Sequence, residues 1–140
     1  YQSDNPGNHR LFPLTKQAKG QIQVELTSLD KYFTDSNLAN KINFIKIDVE
    51  GFEFSVLKGM KNILKNNKKI KILFENMQIN TIQAGFTPIE VLNYLTSYDF
   101  KLFCLDERTK KLLHVSNNEE ILKLCATLNN YISINLFCEK

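Results

Sequence analysis

Residues 43–53 read Asn43-Phe-Ile-Lys-Ile-Asp-Val-Glu-Gly-Phe-Glu53, and this stretch decides the fold. Apolar side chains fall on both faces of 43–49, the pattern of a parallel strand covered by helices on each side. The strand runs straight into Glu50-Gly51, where glycine supplies the freedom for an abrupt strand-to-helix turn. A helix follows. Val56, Leu57, Met60, Ile63 and Leu64 mark its apolar face, Lys58, Lys61 and Lys65 its polar one, and Asn66-Asn67 ends it. Asp48, Glu50 and Glu53 thus gather at the carboxyl end of a buried strand, the end at which ligands bind in open α/β sheets.

Working outward, Lys71-Ile-Leu-Phe-Glu75 is a second short apolar strand. Thr87-Pro88-Ile89-Glu90 combines an N-cap threonine, proline at the first helical position and glutamate at the third, so a helix starts there and ends near Asp99. A strand is predicted over 100–105, and His114, between Leu113 and Val115, sits on another extended segment. Ser116 with Glu119 caps a helix through about Leu124, and 131–137 form a last strand. Toward the amino end, Ile22, Val24 and Leu26 alternate with polar residues as in a half-buried strand. Thr27, with Asp30 three residues on, caps a short helix through about Phe33. Residues 1–20 are irregular, with a dense turn signal at Asp4-Asn5-Pro6-Gly7-Asn8. The order β-α-β-α-β-α-β-α-β specifies a layered α/β fold with a mostly parallel sheet.

Composition narrows the function classes. The 140 residues are 43% apolar and 24% charged, enough for a core and the size of one domain or part of one. A net charge of +3, with 16 lysines against 2 arginines, gives no nucleic-acid footprint. No apolar run approaches the roughly 18–20 residues that span a bilayer. Cys104, Cys125 and Cys138 lie far apart without Cys-x-x-Cys spacing, so they read as buried free thiols in a reducing, cytoplasmic compartment. The start at Tyr1 reads as a cut inside a longer polypeptide.

The carboxylates carry the chemistry. Asp48 and Glu50, clustered at the end of a parallel strand, are natural general bases or ligands, whereas Glu53 reads as a first-turn acid that caps its helix. Glu75-Asn76 closes the next strand. If the two strands are neighbours, Asp48, Glu75 and Asn76 point into one crevice and form an oxygen set suited to magnesium; alternatively, Asn76 begins a turn. His114 is read as structural. His9 enters by residue type alone, from a loop that sequence does not place.

Val24-x-Leu-Thr-Ser-Leu-Asp30, then Phe44-Ile-Lys-Ile-Asp-Val-Glu-Gly-Phe-Glu53, then Val56-Leu-Lys-Gly59, with a following strand that ends in Glu75, strongly resembles the FkbM-type methyltransferase family. The loop Asn5-Pro-Gly-Asn-His-Arg-Leu11 resembles the one these proteins carry before that first segment, so the likeness spans roughly residues 4–105. It implies a class I, Rossmann-like, S-adenosylmethionine-dependent methyltransferase fold with a mostly parallel sheet and helices on both faces. The strands at 43, 71, 100 and 131 would be its fourth, fifth, sixth and antiparallel seventh. The resemblance further implies O-methylation of a hydroxyl on a sugar, lipid or natural product. The family's Asp-x-Gly-Ala-Asn-x-Gly loop is absent. Residues 1–140 therefore resemble the carboxyl-terminal part of the family domain, with the cofactor-binding residues expected upstream of Tyr1.

Two functional readings of different class follow. In the first, the chain carries the substrate side of an O-methyltransferase: Asp48, Glu50 and Glu75 act on a small-molecule or glycan hydroxyl, S-adenosylmethionine is the donor, and Asp48, Glu75 and Asn76 are candidate ligands for Mg. In the second, the chain is a non-catalytic remnant or interaction module that keeps the fold without the cofactor site. A generic nucleotide-binding domain is a weaker third, since no phosphate-cradling glycine-rich loop is present.

Overall fold

The computed structural model describes residues 23–34, 38–106, 109–127 and 134–140. The loop at 5–11 with His9, and the starts predicted at Ile22 and 131, lie outside them. The elements run α1 (Leu29–Tyr32), a 3-10 turn (Ala39–Lys41), β1 (Phe44–Ile47), α2 (Glu53–Lys58), α3 (Lys61–Asn66), β2 (Lys71–Asn76) and α4 (Gln78–Gln83). They continue with α5 (Pro88–Thr96), β3 (Lys101–Asp106), β4 (Lys111–His114), α6 (Asn118–Thr127) and β5 (Ile134–Glu139).

One sheet holds all five described strands, in the order β1-β2-β5-β3-β4. β1 pairs with β2 in parallel, Phe44 opposite Lys71 and Ile47 opposite Phe74. β5 runs antiparallel to both β2 and β3, and β4 folds back on β3. The α/β class holds, but the pairing differs from the expected mostly parallel sheet: three of the four neighbouring pairs are antiparallel. The cause is positional. β2 and β3 are each antiparallel to β5, so β1, β2 and β3 share one direction, and β5 inserted between β2 and β3 separates them. The β1–β2 register brings both carboxyl ends to the same edge of the sheet.

β1 stands at the edge of the described sheet. Ile47 is buried, while Phe44 is 53% exposed. The core lies against the sheet: Ile72, Phe74 and Leu136 from the strands meet Leu57, Leu64 and Leu92 from the helices. Truncating such a residue to alanine costs about 2–5 kcal/mol.

Two local differences from sequence expectation have clear causes. The alternation at 22–26 forms no strand over its described part, and Leu26 is 79% exposed; alternation marks which face would bury but supplies no partner strand. The single helix expected after Gly51 is two. The Gly59 carbonyl accepts from the Asp30 N–H at 3.0 Å instead of continuing the helix. The Asp30 carboxylate then caps α3, accepting from the N–H groups of Asn62 at 2.8 Å and Ile63 at 3.1 Å. Asp30 therefore serves a distant helix, and Ser28 rather than Thr27 caps α1, accepting from Lys31 N–H at 3.1 Å.

Candidate functional site

The chain leaves β1 at Ile47 and must reverse into α2 within five residues. It does so through two successive residues in the left-handed region, Glu50 at φ 53° and Gly51 at φ 103°. Glu53 ties the turn from inside: its Oε1 accepts from the backbone N–H of Gly51 at 3.1 Å and of Val49 at 3.2 Å. These are orphan donors of a strand-to-helix junction, and a carboxylate is the strongest neutral-pH acceptor for them. Glu53 is only 5% exposed. Its role is structural, as expected from sequence, but it does not cap its own helix: α2 has no side-chain cap bond, and Glu53 closes the preceding turn instead.

The turn projects the other two acids outward. Asp48 is exposed, and Glu50 and Glu75 are half-buried. Carboxylate oxygens of Asp48, Glu50 and Glu75 all lie within 4.8 Å of one another. The parallel pairing of β1 with β2 is what brings Glu75 there, and its i-spacing from Phe74 turns it to the face opposite the core. Asn76 follows the other alternation: it shares the Phe74 face and is 2% exposed. The structure thus brings three of the four sequence candidates together and places Asn76 on the opposite side of the strand.

Lys46 supplies the positive charge beside this cluster. Its Nζ donates to Asp48 Oδ2 at 2.8 Å. That hydrogen bond, followed by the charges of Asp48 and Glu75, raises the Lys46 ammonium above its ordinary pKa. On the other side, Asn80 Nδ2 donates to Glu50 Oε2 at 3.0 Å. Asn80 belongs to α4, which the sequence reading missed. The available signal, Ile79 and Ile82 three apart, points the wrong way, because both are exposed and the buried side of α4 is the polar pair Asn80 and Thr81.

His114 is not part of this constellation. It lies on β4, at the far side of the sheet from β1, four strand spacings or roughly 19 Å away at about 4.8 Å each. Its ring meets Phe103 edge-on at 5.4 Å. Cys104 and Cys138 are buried free thiols; the Cys125 side chain lies outside the described residues.

Chemically, three carboxylates of graded exposure with one lysine can accept a proton from a hydroxyl, or hold a hard cation. Among the described residues no helix is long and apolar enough to cross a membrane.

Comparison with known proteins adds a family to this geometry. The family model described as the methyltransferase FkbM domain matches residues 1–102. Hexuronic acid methyltransferase AglP of Haloferax volcanii is 32% identical over 90 residues, which cover 64% of this chain and 32% of that protein. The chain thus spans about a third of the length of the curated relative it matches. No solved structure matches it.

Proposed function

Because the chain belongs to the FkbM methyltransferase family, we propose that it forms the acceptor side of an S-adenosylmethionine-dependent O-methyltransferase acting on a sugar hydroxyl. The observation that carries this reading is the convergence of Asp48, Glu50 and Glu75 at the carboxyl ends of two parallel neighbours. The strand order supports a class I methyltransferase-like, Rossmann-like arrangement, with β5 as the antiparallel strand lodged between β2 and β3. The hexuronic acid in the relative's name favours a carbohydrate over a lipid or other natural product as acceptor. Two buried thiols fit a reducing compartment such as the cytoplasm.

S-adenosylmethionine, when bound, supplies an electrophilic methyl carried on a sulfonium. The described residues include no glycine-rich cradle for it, so their part is confined to the acceptor. Asp48, the most exposed of the three acids and oriented by Lys46, takes the proton that the hydroxyl loses. Glu50 and Glu75 hold the hydroxyl in register and keep negative charge beside the developing hydroxyl–methyl centre.

A second reading of the same cluster is favoured by its 4.8 Å convergence: Asp48, Glu50 and Glu75 as oxygen ligands of a magnesium ion. The donor set suits that hard cation, although Lys46 already neutralises part of its charge. The experiment is transfer of labelled methyl from S-adenosylmethionine to a hydroxyl of methyl β-D-glucuronide by the natural polypeptide, with and without EDTA, counted as the base-stable ether after any methyl ester of the carboxylate has been hydrolysed. Transfer that resists EDTA supports the base reading, transfer lost to EDTA and restored by magnesium supports the metal reading, and no transfer defeats both.

A further inference from the structure

Asn80 is 1% exposed and lies on a helix that exposes Ile79 and Ile82. Two consecutive contacts fix it against the β1–α2 turn. Its side-chain Nδ2 donates to Glu50 Oε2 at 3.0 Å, thirty residues away in sequence. Its backbone carbonyl oxygen lies only 2.6 Å from where a Cβ on Gly51 would stand. The residue it grips is the strained one. Glu50 has φ 53°, a region that a side chain with no short polar group adopts only when its surroundings over-determine it.

We propose that Asn80 is the positioning residue of the carboxylate site, holding the left-handed Glu50 so that its carboxylate faces Asp48 and Glu75. This rests on the reading that those carboxylates handle the acceptor hydroxyl. A buried amide suits the task because it is a neutral donor: it fixes one carboxylate oxygen, and hence the direction of the other, without cancelling the charge the chemistry uses. Lys46 does the opposite at Asp48, where it brings a full positive charge. The close approach also explains why residue 51 is glycine, since any side chain would push α4 and its amide away.

The test is a double-mutant cycle in the natural polypeptide, assayed with S-adenosylmethionine and methyl β-D-glucuronide. Asn80→Ala is expected to lower kcat about 10- to 100-fold, as a misplacement near 1 Å does, with the acceptor KM within about twofold. In a Glu50→Gln background the same change is expected to alter kcat less than about twofold, because Asn80 acts through Glu50. Additive losses would overturn the proposal, as would a loss confined to KM. Asn80→Asp gives a readout independent of turnover: it sets two carboxylates together and lowers Tm, and adding Glu50→Gln, whose amide donates back, restores Tm. Failure of that restoration also overturns the proposal. If Glu50→Gln impairs turnover and Asn80→Ala does not, the function stands and this inference fails. If Glu50→Gln is without effect, or the unaltered protein transfers no methyl, the functional reading fails and takes the inference with it.

Discussion

The Glu53 carboxylate receives the backbone N–H of Gly51 at 3.1 Å, so an acid in the first turn of α2 closes the turn that precedes it. The same oxygen takes the N–H of Val49 at 3.2 Å. Together these bonds let a strand end and a helix begin within five residues while Asp48 and Glu50 remain outside.

Removal of that acceptor takes a partner from one buried and one part-buried donor. Glu53→Ala is expected to cost about 1–3 kcal/mol or more in unfolding free energy, because two N–H groups lose a charged partner. Glu53→Gln keeps one acceptor oxygen and is expected to cost less. Urea denaturation of the two variants checks the order; equal stability of Glu53→Ala and the unaltered protein would show that the bonds contribute nothing.

Gly51→Ala asks two things of the backbone that alanine cannot give. Its φ of 103° is strained for any L side chain, and its Cβ would stand 2.6 Å from the Asn80 carbonyl oxygen. A loss of at least about 1–3 kcal/mol is expected, with α4 displaced. Amide exchange of α4 checks the second point, since faster exchange there is the expected result.

The motif around Asp48 was legible because it couples three signals: a strand apolar on both faces, a glycine, and acids at the helix start. The capping box at Thr87 was legible for the same reason: the Glu90 carboxylate accepts from Thr87 N–H at 2.8 Å, and the Thr87 hydroxyl accepts from Glu90 N–H. What escaped depends on partners distant in the chain. Asp30 obeys a local capping pattern yet spends its carboxylate on α3, and Asn80 buries a polar side chain against a turn thirty residues earlier. No periodicity encodes either. The resemblance implied an antiparallel last strand, and β5 is antiparallel to both its neighbours; what escaped is its place between β2 and β3 and the pairing of β4 on β3, which make three of the four pairs antiparallel.

Asp30 gives a stability test at long range. Asp30→Ala removes the cap of α3 and is expected to cost about 0.5–2 kcal/mol, and Asp30→Asn, which keeps one acceptor oxygen, less. Thermal unfolding of both variants measures the difference. If Asp30→Ala melts with the unaltered protein, the bonds to Asn62 and Ile63 do not stabilise the start of α3.

Cys138 links burial to pH. Desolvation in the core raises its thiol far above the ordinary range. Below about pH 8.5 the thiol is protonated in both folded and unfolded chains, so it adds no pH dependence. Above that value only the unfolded chain ionises, so stability declines as pH rises. Unfolding measured between pH 7 and 10 should show this decline and show less of it in Cys138→Ala. An unchanged slope would contradict the assignment.

On the proposed function, Asp48 acts on the acceptor and not on the donor. The most direct measurement compares Asp48→Asn with the unaltered natural polypeptide in two readouts: kcat for methyl transfer to methyl β-D-glucuronide, and Kd for S-adenosylmethionine by calorimetry. Loss of a positioned proton acceptor is worth about 10²–10⁴ in rate. The expected result is a fall in kcat of that order with Kd unchanged. Undiminished turnover, or a loss of donor affinity that accounts for the whole fall, would contradict it.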